Sequence, residues 1–447
     1  MSDTTAQQHI WRLYSRAGFG LSAAEWEARR TWTTQRALDE LVSAAVGESK
    51  RVAARAGADY ERRAIRAKRA LHASQRDPDR DEPAELIDSE LKGGDLMYQM
   101  RGDWVRRMVD PGVSDLRERM VLFWHDHFAC VPNRPDLAYA YLSALRGNAM
   151  GSFADLLTEV SKTTAMLRFL DAKSNTRERP NENFAREVME LFTLGVGHFS
   201  EGDVREASRA FTGWKEQRGA FVFNPRQHDG GEKTILGQSG NFDGDAVLQL
   251  LLDSPRTAEY LTEKLWRYFT GEKVDDGLRK RLAGQFRASG YDVGSWVASM
   301  LGSEEFRAVG GSGPVRSPVE LFATACRQLS AELPEHNYWV NYMRRLQQLL
   351  LMPPSVAGWP AGEAWLTTSS LPMRAALGSI LLGTLTPPKP LDYRITGIAN
   401  GYSLRGRDAA EHLLGPAVMA RQPAAGSGGI RDLTASQLTA APRYHYA

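Results

Sequence analysis

Apolar residues recur at the spacing of an α-helix between residues 84 and 310, and proline and glycine break this pattern into segments. Each segment is predicted to be a helix that buries one apolar face. The predicted helices of this region span residues 85–109, 114–130, 136–148, 152–170, 181–195, 202–214, 243–252, 256–270, 276–289 and 291–306. Others are predicted at 22–30, 34–46, 317–330 and 336–351. The fold class that follows is mainly α, a bundle-like body of many helices.

Residues 219–237 depart from the helical pattern. Two β-like segments, residues 219–224 and 233–237, flank a polar loop. Short apolar runs on both sides of such a loop favour a hairpin. We therefore expect one small β-hairpin on the helical body.

A second irregular segment, residues 352–365, is rich in proline, glycine and tryptophan; we call it the strap. It cannot be a regular helix, because proline lacks the backbone N–H and restricts the residue before it. We expect the strap to cross the helical body with Trp359 and Trp365 buried and Arg374 nearby. It is either a structural tie or part of a pocket.

Changes in composition divide the chain into five parts. They are an N-terminal helical segment (1–50), a charged helical insertion (51–83), a helical core with the candidate site (84–310), a C-terminal helical part with the strap (311–390) and a partly mobile C-terminal segment (391–447). The arginine-rich insertion is either a basic contact surface or a solvated helix that ends in a charged turn.

Composition bears on partners and location. With 56 Lys and Arg against 54 Asp and Glu, the net charge of +2 creates no strong field for nucleic acid. No stretch approaches the roughly 18 apolar residues of a membrane span, and the first residues lack a signal pattern. We expect no nucleic acid, no membrane and a cytoplasmic location, with export on a partner's signal left open. Cys130 and Cys326 lack metal-site spacing, and we expect Cys130 to be a buried thiol.

Two histidines, His125 and His127, lie near the end of the predicted helix 114–130. On a helix their side chains point about 200° apart, so one metal ion cannot easily bind both. His127 falls among apolar positions, and a buried imidazole needs partners for its ring nitrogens. The partner is either a metal ion or a hydrogen-bonding group of the core.

The predicted helix 181–195 carries two glutamates three residues apart, Glu187 and Glu190. At about 100° per residue, Glu187 lies within the apolar face and Glu190 at its edge. A carboxylate on an apolar face is costly unless it is paired or metal-bound. Glu187 is therefore either a metal ligand or the partner in an internal ion pair.

His228 and Asp229 stand in the glycine-rich loop of the predicted hairpin. Such a loop can deliver polar side chains to a site while its backbone adapts, or it can be an ordinary hairpin loop. The glycines do not match a phosphate-binding loop, because no helix-opening Gly-Lys-Ser/Thr follows.

Together these residues suggest a metal site between the helices 114–130, 181–195 and 202–214. The predicted metal ligands are His127, Glu187, Glu190 and His228. The predicted catalytic groups are His125, His228, Asp229 and Glu190. We expect the side chains of His127, Glu187 and His228 to converge on one cavity. Iron or manganese suits a mixed His and Glu set, zinc and copper are alternatives, and a haem bound by one of these histidines is a variant.

The same segments resemble a bacterial family called domain of unknown function 1800. The matching stretches are residues 16–20, 123–128, 181–195, 210–214, 317–321, 353–360 and 441–445, with His228, Asp229, Lys233 and Arg374. The resemblance runs from about residue 10 to the C-terminus and is most specific at residues 181–195. It implies no particular reaction. Members are often encoded beside proteins that resemble sulfatases and alkaline phosphatases, which implies a protein partner of that kind, and many members look exported.

Three functions fit these residues. The first is a metal-dependent enzyme, an oxidoreductase, acting together with such a phosphatase- or sulfatase-like partner. The second is a non-catalytic scaffold or maturation partner of an enzyme complex, in which the buried polar residues form a core network. The third is a metal-dependent hydrolase.

Overall fold

The computed structural model describes residues 3–51, 93–217, 219–310, 313–331, 333, 336–381 and 442–445. Nearly all of the predicted insertion 51–83 and most of the predicted segment 391–447 lie outside the described residues.

The described residues are mainly helical, which confirms the predicted fold class. The helices are α1 Asp3–Ala17, α2 Ala23–Arg29, α3 34–51, α4 Gly93–Val109, α5 Asp115–His127, α6 Pro135–Asn148, α7 Phe153–Lys162, α8 Thr164–Phe169, α9 Asn183–Glu187, α10 Glu201–Ala210, α11 Gly244–Asp253, α12 Pro255–Thr270, α13 Asp276–Ala288, α14 Val293–Leu301, α15 Glu304–Ala308, α16 Pro318–Gln328, α17 His336–Arg345 and α18 Ser370–Leu381. Short 3₁₀ turns lie at Ala172–Ser174, Gly362–Trp365 and Pro442–His445.

Side-chain caps begin many of these helices where the sequence supplies a hydroxyl or a carboxylate. The Ser114 side chain caps α5, and Ser317 with Glu320 forms a capping box at the start of α16. Ser200 and Asp203 form a second capping box on α10. Each cap provides an acceptor for N–H groups that have no partner within the helix.

The β structure differs from the single predicted hairpin. β1 (Trp214–Gln217) pairs with β2 (Ala220–Phe223), and β3 (Lys233–Ile235) pairs with β4 (Gln238–Gly240), both antiparallel. The predicted segments 219–224 and 233–237 therefore belong to different hairpins. Each strand pairs with its neighbour in the chain, the arrangement that a tight turn allows.

One continuous apolar core joins the helices, and α5 lies deep within it. Every residue of α5 except Asp126 is buried. A separate small cluster consists of Val315, Trp359 and Trp365. The predicted burial of the two strap tryptophans is thus confirmed.

Two further findings concern the cysteines and membranes. Cys130 and Cys326 are free and buried, as predicted for Cys130. None of the helices in the described ranges is long and apolar enough to cross a membrane.

Candidate functional site

His125 is fully buried and has a partner at each ring nitrogen. Its Nε2 accepts a hydrogen bond from the backbone N–H of Leu351 at 3.0 Å, and its Nδ1 lies 3.1 Å from the hydroxyl of Tyr141. That hydroxyl donates to the carbonyl of Phe128 at 2.9 Å. The contacts fit one neutral tautomer, with the proton on Nδ1. Burial lowers the pKa of His125 to about 3, so the ring acts as a neutral tie between α5, α6 and the strap.

His127 points elsewhere, as its helical angle predicts. Its Nε2 lies 3.1 Å from the carbonyl of Phe192. Its Nδ1 is buried and has no hydrogen-bond partner. Burial and the nearby Lys264 ammonium hold the pKa of His127 well below its ordinary value. The ring is therefore a neutral donor to the backbone at Phe192.

The helix that carries Glu187 and Glu190 changes its winding between them. The α-helical winding of α9 ends at Glu187, and the chain continues as a π-helix over Val188–Thr193. There the Leu194 N–H donates to the Met189 carbonyl, five residues earlier, at 2.8 Å. The Thr193 hydroxyl donates to the Val188 carbonyl. Short π-helical segments inside helices often occur at functional sites.

Glu187 and Glu190 are both half-buried. Burial and the Glu190 carboxylate raise the pKa of Glu187, against the effect of Arg186. Within the described ranges no cation lies within 4.0 Å of either carboxylate, and Arg186 pairs with Glu182 and Glu201 instead. The internal ion pair considered for Glu187 is thus not formed among these residues.

His228 and Asp229 form a local network with α10 rather than with α5. The His228 Nδ1 lies 2.9 Å from the Thr212 carbonyl. The Asp229 carboxylate accepts hydrogen bonds from Arg209 at 2.7 and 3.3 Å, which lower the pKa of Asp229 to about 2. The buried Lys233 donates to the Asp229 and Gly231 carbonyls. These contacts hold the loop in place.

The described contacts do not bring the predicted metal ligands together. His127 faces Phe192, the two glutamates have no contact with a histidine, and His228 faces Thr212. Within the described part of the chain no group of three or more His, Cys, Asp or Glu side chains is placed to hold a metal ion.

The strap instead contacts Asp126, the residue between the two histidines. The Trp359 N–H donates to Asp126 Oδ1 at 2.7 Å. Gly358 has φ +85°, and a Cβ there would lie 2.3 Å from the same oxygen. The Trp359 ring lies edge-on to His125 with centroids 5.1 Å apart. The strap is therefore seated on the end of α5 by contacts that only glycine permits.

The charges of Asp126 and of Lys264 on α12 act on each other, and burial shifts both pKa values towards neutrality. Burial raises the pKa of Asp126 to about 6, although the Trp359 N–H and Lys264 oppose the shift. Burial lowers the pKa of Lys264 to about 8, although Asp126 opposes the shift. Both side chains remain partly exposed. Burial therefore shifts both pKa values, while each side chain keeps some access to solvent.

Lys264 belongs to a polar stripe on α12 formed by Arg256, Tyr260, Lys264 and Tyr268. Residues four apart lie on one side of a helix. The Lys264 ammonium lies 5.5 Å from the centre of the Tyr260 ring, and Arg256 donates to the Leu194 carbonyl at 2.9 Å. The stripe thus begins beside the end of the π-helical segment.

The other end of the stripe meets a buried ion pair. Arg119 Nη1 lies 3.1 Å from Glu320 Oε1, and the Arg119 guanidinium lies 4.8 Å from the centre of the Tyr268 ring. Burial raises the pKa of Tyr268 well above its ordinary value, and the carboxylates of Glu320 and Asp126 act in the same direction. The Tyr268 hydroxyl therefore stays protonated at neutral pH.

Arg316 and Arg374 extend this buried polar region. Arg374 Nη2 donates to the Arg316 carbonyl at 2.8 Å, and the Arg316 N–H donates to the His445 carbonyl at 2.8 Å. The Arg316 guanidinium donates to the Ser15 hydroxyl and to the Tyr444 carbonyl. Arg374 is therefore buried beside Arg316. Arg316 follows Val315, which packs with the strap residues Trp359 and Trp365, so Arg374 lies near the strap as predicted.

The segments that meet here are those that carry the resemblance: residues 123–128, 317–321, 353–360 and 441–445, with Arg374. A model of the family described as "Protein of unknown function (DUF1800)" matches residues 12–442. The chain belongs to the DUF1800 family. No curated protein and no solved structure matches the chain.

Several polar residues of this DUF1800 protein were not selected from the sequence as site residues. They are Arg119, Asp126, Lys264, Tyr268, Arg316, Glu320 and His445. The sequence offers one indication that Asp126 is a site residue, because it lies between His125 and His127. The sequence offers no such indication for Lys264, because a lysine on an amphipathic helix is ordinarily solvated.

Proposed function

We propose that the protein is an enzyme that transfers protons with Asp126 as general base and Lys264 as general acid. The observation that supports it is the placement of Asp126 at the end of α5, where the Trp359 N–H holds Oδ1 at 2.7 Å and the side chains of Asp126 and Lys264 both keep partial exposure. Burial raises the pKa of Asp126 to about 6 and lowers that of Lys264 to about 8. At pH 7 the carboxylate is mostly ionised and the amine mostly protonated. These are the states that a base and an acid need at neutral pH.

The geometry around Asp126 supports the same proposal. The strap amide of Trp359 holds Oδ1, while Oδ2 makes no hydrogen bond to any described residue. No ion pair within 4.0 Å joins Asp126 to Lys264 in the described part of the chain. An acid and a base that do not neutralise each other in a direct ion pair each remain available to a substrate.

The first test measures the Lys264 amine without a substrate. Acetic anhydride in limiting amount is applied from pH 6 to pH 10, and acetylation of each lysine is followed by mass spectrometry, with the exposed Lys280 as internal reference. We expect Lys264 to become reactive about two pH units below an ordinary lysine, because its pKa is lowered to about 8 and amines react in the neutral form. Asp126→Asn should lower the Lys264 midpoint further, because it removes the opposing carboxylate. If the reactivity of Lys264 rises at the same pH as that of Lys280, the proposal is overturned.

The second test screens the full chain against carboxylic esters, phosphate esters, sulfate esters and peptides. We expect the turnover found to fall by about 10²–10⁴ in both Asp126→Asn and Lys264→Met, the range for loss of an acid or base. Asp136→Asn, an exposed carboxylate paired with Arg134, is the matched control. Turnover that both site variants retain overturns the proposal.

A second candidate function is a metal-dependent oxidoreductase. A metal-dependent hydrolase also needs a bound metal ion, so the same metal analysis tests both. The repulsion between Glu187 and Glu190 favours it, because a bound cation would relieve that repulsion. The unpartnered Nδ1 of His127 is a further donor atom. Near-stoichiometric iron, manganese, zinc or copper in purified protein supports this candidate, and the intense Soret absorption band of a porphyrin would indicate haem.

The alternative to catalysis is a scaffold or maturation partner that acts with a phosphatase- or sulfatase-like protein. The dense network of buried arginines supports it, since such networks specify a rigid fold. Under this alternative, Asp126→Asn and Lys264→Met bind that partner as wild type does, and no turnover depends on Asp126 or Lys264.

A further inference from the structure

Tyr260 lies in the middle of the polar stripe on α12, with a cation one helical turn away on each side. The Lys264 ammonium lies 5.5 Å from the centre of the Tyr260 ring, and the Arg256 guanidinium lies 5.7 Å from it. The Tyr260 side chain is half-buried. The face of an aromatic ring carries negative charge density and attracts a cation that lies within about 6 Å. Tyr260 is therefore placed to stabilise the ammonium form of Lys264.

The backbone at the end of the π-helical segment fixes the ring of Tyr260. Gly195 has φ +80°, and a Cβ on Gly195 would lie 2.9 Å from Cδ2 and 3.1 Å from Cε2 of Tyr260. Such a short approach is not available to a residue with a side chain, so the ring packs here because position 195 is glycine. Any side chain at this position displaces the ring.

Arg256 ties the end of the π-helical segment to α12. Its Nε donates to the Leu194 carbonyl at 2.9 Å. Its Nη1 and Nη2 donate to the Glu263 carboxylate at 2.7 and 3.0 Å, which pairs the charge of Arg256. A guanidinium held by three hydrogen bonds has little conformational freedom. The backbone that packs on Tyr260 is thus anchored one turn before it.

We propose that Tyr260 is a positioning residue that holds the Lys264 ammonium against its ring face, and that Gly195 sets the position of this ring. The inference rests on the proposed function, because Lys264 is the proposed acid, and it deepens that function by linking the π-helical segment to the acid. A lysine side chain is a compact charge on a flexible stem. A fixed aromatic face restricts that stem and keeps the amine in one place for proton transfer.

The ring acts on Lys264 as a neutral group. Burial raises the pKa of Tyr260 to about 12, although Arg256 opposes the shift. The phenol therefore stays protonated over the pH range in which Lys264 titrates, near pH 8. The interaction comes from the ring face and not from a phenolate. Phenylalanine at this position should replace tyrosine, whereas an aliphatic side chain should not.

The first experiment measures the Lys264 amine of the full chain by acetylation from pH 6 to pH 10, with the exposed Lys280 as internal reference. Tyr260→Phe keeps the aromatic face, and its Lys264 midpoint should equal that of wild type. Tyr260→Leu removes the face and should lower the midpoint by roughly 0.4–1.5 pH units, the range that a cation–π attraction implies. A Tyr260→Leu midpoint that is not below that of Tyr260→Phe overturns the inference.

A shape-matched replacement separates the charge distribution of the ring from its volume. Phenylalanine with three ring fluorines, incorporated at position 260, keeps nearly the same shape but loses most of the negative charge density on its face. Its Lys264 midpoint should lie below that of Tyr260→Phe. Equal midpoints would show that the ring acts only by packing, which overturns the inference.

Gly195→Ala tests the second part of the proposal. Gly197→Ala is the matched control, because Gly197 has φ +82° and open space around its Cβ. Both variants carry the same backbone strain, and only Gly195→Ala meets the Tyr260 ring. Gly195→Ala should lower the Lys264 midpoint, as Tyr260→Leu does, and Gly197→Ala should not. Equal midpoints in the two glycine variants overturn the role of Gly195. If Gly195→Ala does not fold, the fluorinated ring decides the proposal.

Turnover distinguishes this inference from the proposed function. In Tyr260→Leu the high-pH limb of kcat/KM should move to lower pH by the same amount as the acetylation midpoint, because the acid is active only while protonated. A shifted midpoint without any turnover that depends on Asp126 contradicts the proposed function and leaves the positioning role of Tyr260 standing. Turnover that depends on Asp126 and Lys264, with an unchanged midpoint in Tyr260→Leu, overturns the inference and leaves the proposed function standing.

Discussion

Gly358 lies directly against Asp126: a Cβ on Gly358 would be 2.3 Å from Asp126 Oδ1. The adjacent Trp359 N–H donates to this oxygen at 2.7 Å. The strap backbone thus closes over the one residue of α5 that is not buried. The position of this carboxylate depends on the absence of a side chain more than 200 residues away in the sequence.

The contact predicts the effect of Gly358→Ala. Alanine at φ +85° costs about 1 kcal/mol in backbone strain, and the contact with Asp126 adds about 1–3 kcal/mol of overpacking. Gly362→Ala is the matched control, since Gly362 has φ +62° and open space around its Cβ. Chemical denaturation measures both variants. If both variants lose the same free energy of unfolding, the close approach of Gly358 to Asp126 does not contribute to stability.

Burial raises the pKa of Asp126 from the ordinary 3.8 to about 6 in the folded protein. We therefore expect the contribution of Asp126 to the free energy of unfolding to fall as the pH rises through this range. The folded state holds this proton more tightly than the unfolded state, so the contribution is present at low pH and lost above the folded pKa. Asp126→Asn should therefore match wild type near pH 3.5 and exceed its stability by roughly 1–3 kcal/mol at pH 7.5, a range reduced for partial exposure.

Urea denaturation at several pH values measures this difference, with Asp136→Asn as the control. A difference between Asp126→Asn and wild type that does not change with pH would mean that the Asp126 carboxyl is not perturbed in the folded state.

The two partners of His125 predict a large structural role. His125→Phe leaves the buried Leu351 N–H without an acceptor, and such a group costs about 1–3 kcal/mol. It also removes the hydrogen bond that the Tyr141 hydroxyl accepts, although that hydroxyl still donates to the Phe128 carbonyl. We expect a loss of about 2–5 kcal/mol, whereas His198→Phe at an exposed position should change little. If His125→Phe loses little free energy of unfolding, the structural role of His125 is small and a chemical role becomes the better explanation.

Glu187→Gln separates the metal proposal from a purely structural role. Because no described cation pairs with Glu187 and Glu190 repels it, the amide should leave the free energy of unfolding unchanged or raise it by about 0.5 kcal/mol. Loss of bound metal at unchanged stability supports the ligand role. A loss of about 3–5 kcal/mol would indicate a broken buried pair instead.

Much of the fold could be predicted because helical periodicity is a local property. The predicted helix 256–270 is observed as Pro255–Thr270, and 276–289 as Asp276–Ala288. The predicted helix 152–170 divides at Thr163, whose backbone is extended and whose side chain caps α8. No proline or glycine marks that break, and threonine supplies the cap through a contact that periodicity does not show.

The candidate site was predicted less well, because it depends on packing between distant segments. The Phe192 carbonyl, exposed by the π-helical segment, provides a partner for His127 that the sequence pattern does not contain. Lys264 acquires its lowered pKa only when α12 packs beside α5. The strap prediction succeeded because proline and tryptophan restrict backbone and burial locally.

Arg316 contacts residues at widely separated places in the chain, since its guanidinium binds Ser15 and the Tyr444 carbonyl. During synthesis the Ser15 and Arg316 segments leave the ribosome well before residue 444. The helical core can collapse around α5 while the arginine still lacks its last acceptor. Completion of this polar region is therefore a late step of biogenesis, and chains stalled before residue 444 will present an unsatisfied guanidinium to chaperones and proteases.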